Sequence, residues 1–272
     1  LDPIFIMPWG LDMGAAGAGC ATFISNCVAC LYFFIYVLVK RGRSYVCLKP
    51  TMALCGKRVA LGIFAVGVPA MVQNLLNVTG MTILNNFTAD YGSEAVAAMG
   101  IASKIQMVFM YVNLGISNGI MPLVGYNYAD GNVKRMKEAM VFTAKLILST
   151  LCLATLGCFV FSRTLVGLFI ENAHVIELGS AFLKGLSLSL PFMAVDFLGV
   201  GMYQACGMGS KSLVFAIMRK IVLEIPALFA LNALFPMYGL AYAQPFAEFV
   251  LAFAAAAVML RIFRRLERQY LR

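Results

Sequence analysis

Charge is what this sequence has least of. Only 12% of its 272 residues are Asp, Glu, Lys or Arg, against roughly 25% in an average soluble domain. A water-facing surface needs that charge, so an ordinary soluble enzyme is excluded, as are a disordered chain and a collagen-like repeat. Histidine is represented once, by His174. With no HExxH, GxSxG or P-loop pattern either, the chain is expected not to be an enzyme. The eight cysteines show no metal or disulfide framework. Cys27 and Cys30 form a CxxC, but inside an apolar stretch with no histidine nearby, where small residues at a helix contact are the simpler reading. The chain opens on apolar LDPIFI, with no initiator Met and no signal-peptide pattern, as expected of a trimmed or partial sequence.

Hydrophobic residues are abundant instead, at 62%. A spanning helix needs about 20 of them in a row. By hydropathy, after a stub at 1–9, spans fall at about 14–39, 59–86, 95–122, 138–162, 179–206, 212–235 and 239–262. The expected fold is an all-α polytopic membrane protein. TLVGLFI (164–170) is too short to span and is expected at the outer interface.

The net charge of +9 sorts by position. Basic clusters at Lys40–Arg58, at Lys134, Arg135 and Lys137, at Lys211, and in the tail from Arg261 to Arg272 follow every second span. The intervening loops carry Asp90, Glu94, Glu171 and Glu177 against Arg163 alone. This is the positive-inside pattern, which predicts a cytoplasmic C-terminus in the cell membrane. The basicity thus reports orientation, and no nucleic-acid partner is expected.

Residues 40–58 form the one long polar stretch and are expected to link two lobes. The first hairpin, LDPIFIMPWGLDMGAAGAGCATF, and the last, LNALFPMYGLAYAQPF, both turn from an apolar helix end into Gly-x-small-x-Ala, at Gly17–Ala21 and Gly239–Ala243. If that repeat is real, the last hairpin closes a six-helix bundle, and the first closes a matching bundle that begins before Leu1. The expected organisation is therefore 1–39 as the end of an N-terminal lobe (its last one and a half helices), 40–58 as a cytoplasmic linker, and 59–272 as a six-helix C-terminal lobe with a basic tail. Pro69, Pro191, Pro226 and Pro245 fall inside spans, where neighbours or water must satisfy the carbonyls they free.

Ionisable groups deep in spans are costly and mark function unless they pair structurally. Lys104, Asp196, Arg219, Lys220, Glu224 and Glu248 lie deep and are expected to be buried. Lys220 and Glu224 stand at i,i+4 and can pair along one helix. Ser189, Asp196 and Tyr203 share one helix face, and a midplane carboxylate there suits a cation or a proton. Asn74, Asn77, Met81 and Asn85 occupy one sector of their helix, and Gln106, Met110, Asn113 and Ser117 one sector of the next. Such amides can simply bond between helices, but three polar stripes suggest a shared substrate cavity. Methionine and phenylalanine, 17 and 21 in all, offer it an adaptable lining. With no ATP-binding signature, active transport must use an ion gradient, and no cofactor is expected.

Several motifs then point to a family. LDPIFI with GAAGAGCAT, GVP (67–69), YGSEAVAAMGIASKI (91–105), PLVGYNYADG (122–131), QACGMGSKS (204–212), and the stretch from RKIVLEIP (219–226) to GLAYAQPFAE (239–248) resemble, in order, the multidrug and toxic compound extrusion (MATE) transporters. The resemblance implies the end of helix 5 through helix 12 of a twelve-helix antiporter. Such proteins export amphipathic, often cationic compounds against protons or sodium ions by rocking two lobes. It further implies that Asp2 and Thr22 match the carboxylate and hydroxyl of the first-lobe cation site in DinF-like members. The position of a helix-7 glutamate found in NorM-like members is Asn77 here. The partners so implied are a small-molecule substrate, the bilayer and the missing first lobe. Two alternatives remain: a lipid-linked saccharide flippase of the same superfamily, which needs a large cationic cavity, and a non-transport membrane protein.

Overall fold

The computed structural model describes Phe5, residues 13–40 and residues 56–270. The chain divides into two compact units, Leu1–Lys57 and Arg58–Arg272.

The first unit holds helix α1, Gly14–Val39. At 1.5 Å per residue its length is about 39 Å, enough to cross a bilayer. Its start is fastened by Met13 N donating to Phe5 O at 3.0 Å. Gly17 lies so close to that carbonyl that a Cβ would fall 2.4 Å from Phe5 O.

The second unit is helical throughout its described elements: α2 (Lys57–Ala89), α3 (Ser93–Ala129), α4 (Val133–Gly167), α5 (Ala173–Ser187), α6 (Leu190–Ala205), α7 (Gly209–Ile217), a π-helical segment (Met218–Glu224), α8 (Ile225–Leu234) and α9 (Gly239–Tyr270). The tight start of α1 recurs at α9, where a Cβ on Gly239 would fall 2.1 Å from Leu231 O. The sequence repeat thus has the same physical content at both ends: each glycine lets a helix start against a carbonyl of the preceding segment.

Helix accompanies every expected span. Among the described residues, five helices are long and apolar enough to cross a membrane, or six if the α5–α6 pair, bent by 44°, is one broken span. The run expected at 212–235 is cut into three pieces by the π turn, which carries Arg219, Lys220 and Glu224. Of TLVGLFI, Thr164–Gly167 form the end of α4 beyond a kink at Phe161, whose φ and ψ are −102° and 16°.

α3 is central, packing on α4, α5 and α6, while α9 packs on α5, α6, α8 and the π segment. One core gathers Ala98, Met99, Ala102, Phe182, Leu186, Leu228 and Ala243. A second gathers Met136, Met140, Ile147, Leu190, Met193, Leu198 and Tyr203. Within lipid such contacts are held by close van der Waals fit and small residues rather than by escape from water.

Two of the prolines have a neighbour at the carbonyl they leave free. Pro69 has no N–H for Ala65 O four residues back. Gly209, opening α7, fits against that carbonyl, where a Cβ would fall 2.3 Å away. Pro191 likewise cannot bond Ser187 O, which accepts from Thr155 Oγ1 of α4 at 3.0 Å.

Candidate functional site

The bend between α5 and α6 organises one polar network. Gln106 of α3 donates through Nε2 to Leu186 O at 3.1 Å and to Ser189 Oγ at 2.8 Å. Asn113 Nδ2 donates to Met193 O at 3.4 Å, and Ser117 Oγ donates to Asn113 Oδ1 at 3.3 Å. These amides therefore hold the broken helix in its bent form, and their donors are used within the bundle.

A second network surrounds the π segment. Arg219 Nη1 lies 3.1 Å from Asp196 Oδ2 on α6 and 3.6 Å from Glu248 Oε1 on α9. Its Nη2 donates to Asn77 Oδ1 on α2, and its Cζ stands 5.6 Å from the centroid of the Phe197 ring, a cation–π distance. One guanidinium thus ties four segments together. Its five-donor planar fork can do this where a lysine could not. Beside it, Lys220 Nζ pairs with Glu224 Oε1. Gly80 of α2 makes room for that pair, since a Cβ there would fall 3.2 Å from Lys220 Nζ. All five charged groups are buried: Asp196, Arg219, Lys220, Glu224 and Glu248. Asp196 Oδ1, Arg219 Nε, Glu224 Oε2 and Glu248 Oε2 have no hydrogen-bond partner.

The π geometry helps explain the gathering. The wide turn adds a residue to the helix and comes just before Pro226, which lacks an N–H. Arg219, Lys220 and Glu224 are all buried on it, whereas a regular helix spreads consecutive residues by about 100°.

The structure divides the sequence-derived candidates. Gln106 and Asn113 belong to the bend, and Asn77, Asp196, Arg219, Glu224 and Glu248 to the ionic cluster. The polar face of α6 is split between them, with Ser189 at the bend and Asp196 on Arg219. Tyr203 is buried against Phe215, ring centroids 5.5 Å apart, with no partner for its hydroxyl. Asn74 is exposed on α2, and Thr22 is exposed on α1. Asp2 lies outside the described residues. Lys104 is corrected: it is exposed, not buried. The packed stripe of α3 runs through Ala98, Ala102, Ile105, Gln106 and Asn113, and at 100° per residue Lys104 points about 160° away from its centre. A cleft of about 520 Å³ opens elsewhere, between α3 and α4, lined by Ile116, Ile120, Leu123 and Phe142 among others and by none of these candidates. Thr155 and Phe197 are contributors that sequence reasoning missed. Neither carries a signal, because each matters only through a partner on another helix.

Buried charges at the junction of membrane-spanning helices, joined by a bent and a π-interrupted helix, define a multi-pass helical membrane protein with an intramembrane polar centre. The chain matches the MatE family model over residues 69–230 and belongs to that family. It is 33% identical to the multidrug export protein MepA of Staphylococcus aureus (strain bovine RF122 / ET3-1), over 98% of this chain and 58% of the relative. It is 34% identical to the MepA of Staphylococcus saprophyticus, with the same coverage of 98% and 58%. The chain therefore spans a little over half the length of these relatives. Among solved structures, an outward-facing multidrug resistance MATE family transporter of the MOP superfamily superposes with a TM-score of 0.86 at 24% identity, over 98% of this chain and 60% of that one. The Vibrio cholerae MATE transporter VcmN in its bent form gives 0.80 at 21% identity, over 99% and 60%. Both share the fold.

Proposed function

We propose that this chain is the working C-terminal part of an antiporter that exports amphipathic or cationic small molecules in exchange for protons or sodium ions. It would do so by alternating access of two lobes, in the cell membrane and with the C-terminus cytoplasmic. The observation that carries the reading is the buried ionic cluster. Asp196, Glu224 and Glu248 outnumber Arg219 and Lys220 in a site where uncompensated charge is costly. An excess carboxylate within the bilayer has reason to bind and release a cation. The relatives' names, multidrug export proteins, agree with such an activity. The basic clusters supply the orientation.

The flippase alternative loses support from the same geometry. Its pyrophosphate needs free cationic groups in a cavity, yet Arg219 is already engaged by two carboxylates and Lys220 by Glu224.

The test is expression, together with the first lobe, in host cells lacking their own efflux pumps. Cells should lose a fluorescent cationic dye while the membrane gradient stands and retain it once the gradient is collapsed. Retention equal to that of empty-vector cells, across several dyes, would refute the proposal.

A further inference from the structure

The ionic cluster is unequal as well as unbalanced. Fully ionised, its three carboxylates against two cations would leave one negative charge inside the membrane. Lys220 is taken by Glu224. Arg219 donates to Asp196 at 3.1 Å, while Glu248 stands off at 3.6 Å from the same nitrogen. Glu248 is also only 1% exposed, and its Oε2 has no hydrogen-bond partner. Of the three acids it has the weakest compensation and the deepest enclosure.

We infer that Glu248 is a proton-binding site of the second unit, a neutral carboxyl at rest beside the Arg219–Asp196 pair, and that it exchanges a proton rather than a sodium ion. A proton needs one free lone pair, which Oε2 offers. A hard metal cation needs several converging oxygens. The guanidinium already stands between the two nearest carboxylates and repels a second cation.

The charged groups acting on Glu248 are Arg219, Lys220 and Glu224 from the π segment and Asp196 from α6. α2 contributes the neutral Asn77 to this cluster. α8 has no charged residue, the charged residues of α4 are exposed, and those of α5 are the exposed Glu177 and the half-buried Lys184. When the proton leaves Glu248 Oε2, the new carboxylate competes with Asp196 for Arg219 Nη1. Release is thereby coupled to the contact that joins α6, α9 and the π segment.

The inference rests on the antiport reading by naming its ion and carrier, but its test reads protonation and not transport. The chain, reconstituted in lipid bilayers together with the first lobe, is followed by infrared difference spectroscopy across a pH titration. A protonated-carboxyl carbonyl band should be present at neutral pH and disappear as pH rises. Glu248→Gln should abolish the band with helical content intact, because glutamine mimics the neutral acid. Asp196→Asn should move its loss to lower pH, because removing one acid leaves two carboxylates for two cations. The midpoint should be the same in sodium chloride and in choline chloride. The inference is overturned if the band survives in Glu248→Gln, if that variant fails to fold, if Asp196→Asn leaves the midpoint in place, or if sodium specifically shifts it. A protein that shows the band yet exports nothing would count against the antiport reading alone.

Discussion

Arg219 of the π-helical segment and Asp196 of α6 form a buried ion pair, Nη1 to Oδ2 at 3.1 Å, with side-chain exposures of 5% and 3%. The two residues are 23 positions apart in sequence, and the same guanidinium reaches α2 and α9. A buried charge left without its partner typically costs about 3–5 kcal/mol, whereas replacing both partners by apolar groups is often near neutral. Arg219→Met alone should therefore destabilise the protein by about that amount. Adding Asp196→Leu should recover most of the loss. Unfolding in detergent, followed by circular dichroism, measures both, and a single-variant cost of a few tenths of a kcal/mol would show that the pair holds nothing together.

The bend between α5 and α6 depends on side chains from two other helices. Thr155→Val removes the donor to Ser187 O, and Gln106→Leu removes the donor to Leu186 O and Ser189 Oγ. Interhelical hydrogen bonds of this kind in membranes are worth roughly 0.6–2 kcal/mol each. Each substitution should cost about that, and the pair should cost close to the sum, since they serve different carbonyls. Thermal unfolding of the three variants tests this.

Close approach at Gly209 makes a sharper forecast. An added methyl would fall 2.3 Å from the backbone oxygen of Ala65, which has no flexible end that can move aside. Gly209→Ala should cost about 1–3 kcal/mol, as overpacking does. Gly115→Ala is the control, because nothing lies within 4 Å of a Cβ there. With a helix-favouring residue in place of glycine, it should gain up to about 1 kcal/mol. Equal effects at the two positions would mean that α2 does not rest on the α6–α7 turn.

Lys104 is exposed, so Lys104→Gln should leave stability within about 0.5 kcal/mol. The same measurement on Arg219→Gln should show a loss several times larger. A comparable loss at Lys104 would mean that its charge is held inside the bundle after all.

Much of the fold was legible because hydropathy reads depth. Every expected span carries helix. What hydropathy cannot read is direction around a helix. Lys104 lies as deep in its helix as Gln106, two residues on, yet Gln106 is packed inside and Lys104 is not. The π turn was hidden for a different reason. Arg219, Lys220 and Glu224 look like an ordinary charged interruption until the widened helix buries them together. The i,i+4 pairing of Lys220 with Glu224 is local and needs only spacing. The reach of Arg219 to Asp196, Glu248 and Asn77 depends on how four segments pack, and no motif records it. The tight starts at Gly17 and Gly239 lie between these cases. The repeat was visible in sequence, but its cause, a backbone carbonyl in the place of a Cβ, needed coordinates.

The most direct measurement of the central claim, that the ionic cluster is where ion exchange meets export, is counter-transport in proteoliposomes containing both lobes. Uptake of a fluorescent cationic dye is driven by an imposed pH gradient, and the wild type is compared with Asp196→Asn and Glu248→Gln under identical loading. Gradient-driven uptake in the wild type, reduced at least about tenfold in both variants (about 1.4 kcal/mol in the barrier), is the expected result. Wild-type rates in both variants would contradict it and leave the cluster a structural tie between helices.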